Sequence, residues 1–263
     1  MSNQDDTREF FHYSSSQILT QNDVSPTDTT AQNFLLQSEI KDAWLHPEAS
    51  NYTFVVRLEM GNLQSHGIYK PERGEAPLWD FPSGLYKREY AAYLVSSYLG
   101  WKLVPPTVLR VDEAIGYGSL QLFVPPVYGS NFFSLRDDYS ENLRLIALFD
   151  WVTNNADRKG GHCFLAKSGG VWAVDNGLSF HEEHKLRTVI WDFAEQELYP
   201  WMLNDLTKLE LELNQGDSKL LAQLLELLEE SEIESFKNRI RNILNHPFFP
   251  KPQSRRDIPW PII

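Results

Sequence analysis

Two short polar stretches are the most informative part of this chain: Asn155-Ala156-Asp157-Arg158-Lys159-Gly160-Gly161-His162 and Val174-Asp175-Asn176-Gly177. Each places an acidic side chain among small, polar and flexible residues, and Asp157 and Asp175 lie 18 positions apart. Between them, the apolar runs Cys163–Ala166 and Val171–Val174 predict two short strands. We therefore expect two carboxylates on loops that flank one hairpin.

This layout is typical of kinase-type phosphoryl transferases, in which one loop carries an aspartate that handles the acceptor and a nearby turn carries an aspartate that holds the metal on the nucleotide phosphates. Asp157 is the candidate for the first role and Asp175 for the second. Lys70, on a predicted strand, would supply the fixed positive charge that phosphates need. Glu89, early in a predicted helix, would pair with Lys70 and hold it in place.

Each of these residues also has a simpler interpretation. Lys70 fits an ordinary exposed strand lysine, and Glu89 fits a solvated acid that the helix dipole favours. The loop around Asp157 has the composition of a plain surface loop. Asn176-Gly177 is a leading signal for a tight hairpin turn, here between strand-like runs that end at Val174 and begin at Leu178. The two interpretations of that turn do not exclude each other.

A rival interpretation is a zinc site. Its candidate ligands would be His162, Cys163, His181 and His184. Their spacing matches no common zinc motif, because zinc sites generally repeat Cys and His in fixed short intervals. The chain also has no G-x-S-x-G element, no P-loop and no G-x-G-x-x-G fingerprint.

Composition limits the function classes further. A formal charge of −12 and a pI near 5.0 argue against non-specific nucleic-acid binding and against docking on an anionic membrane. The single cysteine, Cys163, excludes an intrachain disulfide and suits a reducing compartment. The N-terminus has no apolar core of signal-peptide type, and no run is long enough to span a bilayer. We therefore expect a cytoplasmic protein with no integral membrane association.

The pattern along the chain predicts an α+β, bilobal fold. Residues 1–33 are polar and are expected to form a disordered tail. Residues 34–124 would form a β-rich lobe and residues 125–246 a helical lobe, with Pro125-Pro126 as a candidate hinge. Residues 247–263 would form an extended C-terminal tail.

Individual elements follow from apolar periodicity and turn residues. The predicted strands are Tyr52–Leu58 and His66–Lys70, joined at Gly61-Asn62, and then Thr107–Val111 and Ser119–Val124. The predicted helices are Tyr86–Leu99, Leu143–Val152 and three more near residues 195–213, 217–230 and 232–245.

Several stretches together resemble the bacterial SCO1664 family, which is related to the phosphoinositide 3-/4-kinase catalytic domain. The resemblance covers roughly Phe34 to Pro247. It rests on Tyr69-Lys70-Pro71, Gly74-Glu75-x-Pro77-Leu78-Trp79-Asp80-Phe81-Pro82, Arg88-Glu89-x-Ala91-Ala92-Tyr93-Leu94, Val104-Pro105-Pro106-Thr107-Val108, Gln121-Leu122-Phe123 and Asp157-Arg158-Lys159-Gly160-Gly161-His162.

The resemblance implies a kinase-like bilobal fold that uses ATP with Mg²⁺ or Mn²⁺. The loop around Ser50 and Asn51 would cover the phosphates, and Lys70 would contact the α- and β-phosphates with Glu89 as its partner. The adenine side would be formed by Gln121, Leu122, Phe123 and Val124. The catalytic loop would contain Asp157, Arg158 and Lys159, and the metal would be held by Asp175 and His162. The acceptor stays open between protein, lipid and small molecule.

Three positions depart from the phosphoinositide kinases. Lys159 replaces the histidine of their Asp-Arg-His motif, His162 takes the position of their asparagine, and Asn176 replaces the aromatic residue of their Asp-Phe-Gly turn. Imidazole is a poor ligand for Mg²⁺ but an acceptable one for Mn²⁺, so His162 predicts a preference for Mn²⁺. The same departures leave two alternatives: a nucleotide-binding pseudokinase without phosphoryl transfer, and an enzyme that transfers the nucleotide instead.

Overall fold

A five-stranded antiparallel sheet forms one half of the computed structural model, which describes residues 24–46 and 51–263. Its strands are β1 (Glu39–Leu45), β2 (Phe54–Met60), β3 (Leu63–Pro71), β4 (Thr107–Asp112) and β5 (Gly116–Leu122). Their order across the sheet is β1-β2-β3-β5-β4, with β3 in the centre.

Helices form most of the other half. The helices are α1 (Ala31–Gln37), α2 (Leu85–Tyr98), α3 (Phe132–Leu135), α4 (Ser140–Thr153), α5 (Pro200–Leu213), α6 (Lys219–Leu225) and α7 (Glu230–Asn245). A two-stranded hairpin of β6 (Cys163–Leu165) and β7 (Val171–Ala173) follows α4. The predicted α+β class, with a β-rich half followed by a helical half, is confirmed.

The central strand β3 places Tyr69 and Lys70 on opposite faces of the sheet, because successive strand residues alternate. Tyr69 is fully buried in a core shared with α1, and its hydroxyl lies 2.9 and 2.7 Å from the carbonyl oxygens of Arg110 and Gly116, to which it can donate its one proton. Lys70 faces α2. A Cβ atom at Gly118 of β5 would lie 2.4 Å from the Lys70 carbonyl oxygen, so glycine is needed for β3 and β5 to pair this closely here.

Helix α2 connects the two halves and carries Glu89. Four of its residues, Ala91, Ala92, Leu94 and Val95, belong to the main helical core. At its start, the Glu75 carboxylate accepts from the backbone N–H groups of residues 84 and 86, at 2.9 and 2.8 Å, which satisfies donors that a helix leaves free. Farther along, Arg88 forms a buried ion pair with Glu232 of α7. These contacts fix α2, and with it Glu89, between sheet and helices.

The structure departs from the predicted elements at several places. Helix α1, strand β1 and the short helix α3 were not predicted. The prediction of a hairpin turn at Asn176-Gly177 is wrong, because Leu178–Phe180 forms no strand. Helix α5 begins at Pro200 instead of near residue 195, with proline at the first helical position.

The four-part division of the chain, with its hinge at Pro125-Pro126, stays a prediction. At its first boundary, Val24 and Ala31 already pack into the sheet-lobe core, so the tail that was predicted to end at residue 33 extends too far. Residues 1–23 of that tail lie outside the described part of the chain.

Candidate active site

Lys70 lies at the centre of the candidate site. Its Nζ donates to Glu89 Oε1 and, at 2.8 Å, to Asp175 Oδ1. The Glu89 side chain is almost fully buried, whereas 51% of the Asp175 side chain is exposed. The buried acid therefore holds the lysine from the interior, and the exposed acid faces solvent.

These charges reinforce each other. Burial works against protonation of Lys70, but Asp175 and Glu89 outweigh it and raise the pKa of the ammonium above its ordinary value. Lys70 in turn holds the pKa of the Asp175 carboxyl well below its usual range. At neutral pH the site therefore contains a charged lysine and a charged aspartate.

Asp175 has an uncommon backbone conformation. Its φ is +58°, in the left-handed region that Asp and Asn tolerate better than other non-glycine residues. Such conformations persist where the surroundings hold them. Here Lys70 contacts one carboxylate oxygen, and His162 Nε2 lies 3.3 Å from the other. At Gly177 a Cβ atom would lie 3.3 Å from Glu89 Oε1, so this turn packs tightly against α2.

Asp157 lies on the neighbouring loop, as predicted. Its carboxylate pairs with Lys159 Nζ at 2.9 Å, and its backbone N–H donates to Asn155 Oδ1 at 2.9 Å. Burial raises the pKa of Asp157 despite the opposing effect of Lys159. A carboxylate with a raised pKa is a better proton acceptor near neutral pH. Asp157 and Lys159 thus form a pair suited to an acceptor hydroxyl.

Arg158 has a different position from the one expected for a catalytic residue. It is fully buried, with its Nε 3.0 and 3.1 Å from the two carboxylate oxygens of Asp150. Its other nitrogens donate to the Val174 carbonyl and, at 2.6 Å, to Asn176 Oδ1. Burial alone would lower the pKa of Arg158, but Asp150 outweighs it and raises that pKa. Arg158 is therefore a positioning residue that joins the Asp157 loop to the Asp175 turn.

Asn176 holds the Asp175 turn in place by hydrogen bonds, at the position where the phosphoinositide kinases have an aromatic residue. Its side chain is buried and accepts from Arg158, and its backbone N–H donates to Glu89 Oε2 at 3.0 Å. Glu89 thus bonds both Lys70 and the residue next to Asp175. The lysine, the helix and the turn form one hydrogen-bonded unit.

The predicted nucleotide-binding residues lie in the β1–β2 connection and at the end of β5. Ser50 lies outside the described residues, and Asn51, in the β1–β2 connection, accepts from the Ala76 N–H at 2.9 Å. The Gln121 side chain is buried and donates to Thr107, and the residue pairs with Ile68 on one side and Thr107 on the other. The following three residues, Leu122, Phe123 and Val124, lead from β5 into a small core with Phe164 and Trp172 of the β6–β7 hairpin.

The donor set fits a divalent ion that takes most of its ligands from water and substrate. Among residues 24–46 and 51–263 no three His, Cys, Asp or Glu side chains are grouped to hold a metal, so the protein offers Asp175 and His162. Mg²⁺ commonly binds through one or two carboxylates and takes its remaining ligands from waters and substrate phosphates. Burial lowers the pKa of His162 to about 4, so the imidazole is neutral near pH 7. Its Nδ1 accepts from the Lys159 N–H at 3.4 Å, which leaves the Nε2 proton pointing to Asp175. Metal binding through Nε2 requires the other tautomer.

The zinc interpretation is excluded by the geometry. Cys163 is fully buried, and among the described residues it forms no group of three His, Cys, Asp or Glu side chains that could hold a metal. His162 pairs with Asp175, and the His181 ring packs against Phe81 with 5.0 Å between centroids.

Three residues that hold the site together were not predicted. Asn154 ends α4 in the left-handed conformation and bonds the carbonyls of His181 and Glu183 and the N–H of Lys185. Asp150 anchors Arg158, and Thr188 Oγ1 lies 3.4 Å from Asp150. An asparagine directly after an apolar helical run is a helix-ending signal and would have indicated the first of these.

Comparison with solved structures identifies the class of this fold. The chain matches a Golgi casein kinase with Mn and ADP bound (TM-score 0.53, 14% identity) over 82% of this chain and 74% of that one. It matches hydra Fam20 with sugar (TM-score 0.55, 13% identity) over 89% of this chain and 93% of that one. The protein therefore has a protein-kinase-like fold, with a β-rich lobe and a helical lobe.

A sequence relative places the chain more narrowly. This chain is 37% identical to Protein Rv2133c of Mycobacterium tuberculosis, over 81% of this chain and 88% of that protein. The chain therefore belongs to the same family as that protein. No family model matches the chain. Within residues 24–46 and 51–263, none of the helices has the length and apolar character needed to cross a membrane.

Proposed function

We propose that this protein is an ATP-dependent phosphotransferase of the atypical kinase type that works with Mg²⁺ or Mn²⁺. The observation that carries the proposal is the bonding of Lys70 to both Glu89 and Asp175, beside the loop of Asp157. The fold shared with a Golgi casein kinase that has Mn and ADP bound supports the same assignment.

In this proposal each charged residue has one task. Lys70 donates to the nucleotide phosphates, and Asp175, with His162, would hold the metal, which would neutralise the phosphate charge. Asp157 orients the acceptor hydroxyl and takes its proton, while Lys159 brings positive charge to the transferred phosphoryl group. The residues from Gln121 to Val124 contact the adenine, and the loop of Ser50 and Asn51 covers the phosphates. Catalysis then comes from positioning and charge neutralisation.

Lys70→Met tests the nucleotide-binding half. A charged hydrogen bond contributes about 1.5–3 kcal/mol, so we expect ADP with Mn²⁺ to bind roughly 10- to 100-fold more weakly. Titration calorimetry on the folded proteins measures this. Lys219→Met, an exposed lysine of α6, is the matched control and should bind like the unmodified chain. Equal affinity of the Lys70 variant and the control would contradict the proposal.

Label transfer separates the reaction types. Transfer from γ-labelled ATP indicates a kinase, and transfer from α-labelled ATP indicates a nucleotidyl transferase. Nucleotide binding with neither transfer identifies the pseudokinase that the departures at His162 and Asn176 also allow.

His162→Asn tests the metal preference. We expect the unmodified protein to bind ADP with Mn²⁺ more tightly than with Mg²⁺, and the ratio to fall about tenfold in the variant, because an amide oxygen suits Mg²⁺ better than an imidazole does. Thermal shifts with each metal and ADP give the ratio without an acceptor. The exposed His246→Asn is the control. An unchanged ratio would show that His162 orients Asp175 and does not contact the metal.

Two finer assignments belong with this proposal. We assign the chain to the SCO1664 family on the motifs quoted above, and we place it in the cytoplasm, where a single buried thiol such as Cys163 stays reduced. The acceptor is the remaining question.

A further inference from the structure

The C-terminal segment, residues 247–263, returns from the end of α7 to the loop that carries Asp157. It first pairs with residues 195–198, where the N–H of Leu198 donates to Pro247 at 2.7 Å. Farther on, the Asp257 carbonyl accepts from the Thr188 N–H at 3.0 Å, and the Ile262 carbonyl accepts from the Gly160 N–H at 2.7 Å. Successive attachments therefore lead along the 178–199 segment toward the candidate catalytic aspartate.

The last attachment lies directly on the catalytic loop. Gly160 is three positions after Asp157, and a Cβ atom there would lie 2.7 Å from the Phe133 ring and 3.2 Å from the Ile262 carbonyl oxygen. At Gly161 a Cβ atom would lie 3.9 Å from the Ile263 side chain. The loop and the segment are thus in close main-chain contact, which a larger residue at position 160 would disrupt.

The terminal part of this segment is only lightly held. The Trp260 side chain is 87% exposed and Ile263 is 64% exposed, whereas Pro259 is buried. A short turn precedes these terminal residues. In it the Asp257 carboxylate accepts from the N–H groups of Gln253 and Ser254 at 2.6 and 2.9 Å. A segment with little buried area and mostly main-chain attachment opens at low free-energy cost.

By contrast, the start of the C-terminal segment is firmly packed. Phe249 is buried in the helical core, and the Arg144 guanidinium lies 5.9 Å from its ring centroid. Residues 254–263, which we call the strap, can therefore detach while residues 247–249 stay in place.

The surface beneath the strap has the properties of a peptide-binding groove. It offers main-chain donors at Gly160 and Thr188, and beside Gly160 the Phe133 ring, which is 40% exposed. Main-chain hydrogen bonds combined with an apolar side-chain contact are how extended peptides are recognised on protein surfaces. An acceptor that approaches Asp157 from this side meets the same groups.

We propose that the groove formed by Gly160, Phe133 and Thr188 docks a polypeptide acceptor in extended conformation, and that the strap occupies this groove in the free protein as an intramolecular competitor. The proposal rests on the proposed phosphotransferase function and names its acceptor class as polypeptide.

The test uses a released variant, Asp257→Ala with Pro259→Gly, which removes the anchor of the turn and the buried proline from the full chain. The control is Arg255→Ala, which removes an exposed side chain of the same turn. The probe is a fluorescently labelled synthetic peptide with the sequence of residues 254–263. Because a groove that is closed most of the time binds with a correspondingly reduced apparent affinity, we expect the released variant to bind this peptide about tenfold more tightly than the unmodified chain or the control.

Two further measurements complete the test. The amide protons of Gly160 and Thr188 should exchange about tenfold faster in the released variant, since they lose their partners. Dephosphorylated casein, as an unstructured polypeptide, should displace the labelled peptide from the released variant.

Each negative result contradicts one part of the proposal. Equal peptide affinity in all three proteins, or no binding, would overturn the groove and the strap together. Binding that casein does not displace would overturn the polypeptide acceptor. Titration of each variant with ADP and Mn²⁺ keeps the proposals apart, because failure of nucleotide binding contradicts the phosphotransferase function and leaves the peptide result unaffected.

Discussion

Asp175→Asn should reduce phosphoryl transfer about a thousandfold while the protein stays folded, since loss of one preorganised charge at a reacting phosphate costs this much. The carboxylate bonds Lys70 at 2.8 Å and faces His162 at 3.3 Å, so the substitution removes the charge between them. Asparagine keeps the size of the side chain and tolerates the φ of +58° at this position. Half of the Asp175 side chain is exposed, so no charge is lost from the core.

The measurement is label transfer from γ-labelled ATP into a cell lysate, per mole of enzyme, with the melting temperature recorded in parallel. Asp192→Asn is the matched control, because Asp192 also follows the β6–β7 hairpin but pairs with Arg136 at the surface. We expect the control to retain nearly full transfer. If the Asp175 variant transferred phosphate at a rate within tenfold of the control, Asp175 would not be the residue that binds the metal.

The three charged residues that meet at the centre of the candidate site were all candidates from the sequence. Lys70, Glu89 and Asp175 each stood in a context that limits their conformation: a strand, an early helical turn and a glycine-containing turn. They occur along the chain in the same order as the lysine, glutamate and metal-binding aspartate of kinase-type phosphoryl transferases. The distance between Lys70 and Asp175, 105 positions in sequence, could be bridged only by that analogy, because no local pattern reports a contact of such separation.

Arg158 shows where sequence reasoning fails. Next to Asp157 it suggests a group that contacts substrate, but burial is a property of the fold and not of the motif. Its partner, Asp150, lies within α4 and has the composition of any helical aspartate. A buried arginine needs such a partner, since an unpaired charge in the interior is very costly. The pairing follows from the structure only.

The unpredicted elements have a related cause. Strand β1 contains Glu39, Lys41 and Asp42, residues that are depleted in strands, and it is an edge strand with mostly exposed side chains. Helix α1 lies in a polar region, yet Phe34 and Leu35 pack on the sheet. Tertiary contacts, which propensity does not capture, stabilise both elements.

Arg158→Met should destabilise the protein by about 3–5 kcal/mol, the usual consequence of removing one partner of a buried ion pair. The reason is that the Asp150 carboxyl, whose pKa burial already raises, would remain in the core without the two Nε contacts at 3.0 and 3.1 Å. The free energy of unfolding in urea, compared with that of the unmodified chain, gives this value. A loss below about 1 kcal/mol, the range of exposed pairs, would mean that the pair is not buried in solution.

The double variant Asp150→Leu with Arg158→Met separates stability from function. Apolar residues of similar volume often replace a buried ion pair without loss of stability, so we expect most of the free energy of unfolding to return. Phosphoryl transfer should stay about a hundredfold reduced, because neither methionine nor leucine can donate to Asn176 and Val174 as Arg158 does. Recovery of stability together with full transfer would show that Arg158 only fills the core. Recovery of stability alone establishes that it positions the turn of Asp175, since the fold is then intact while the site is not.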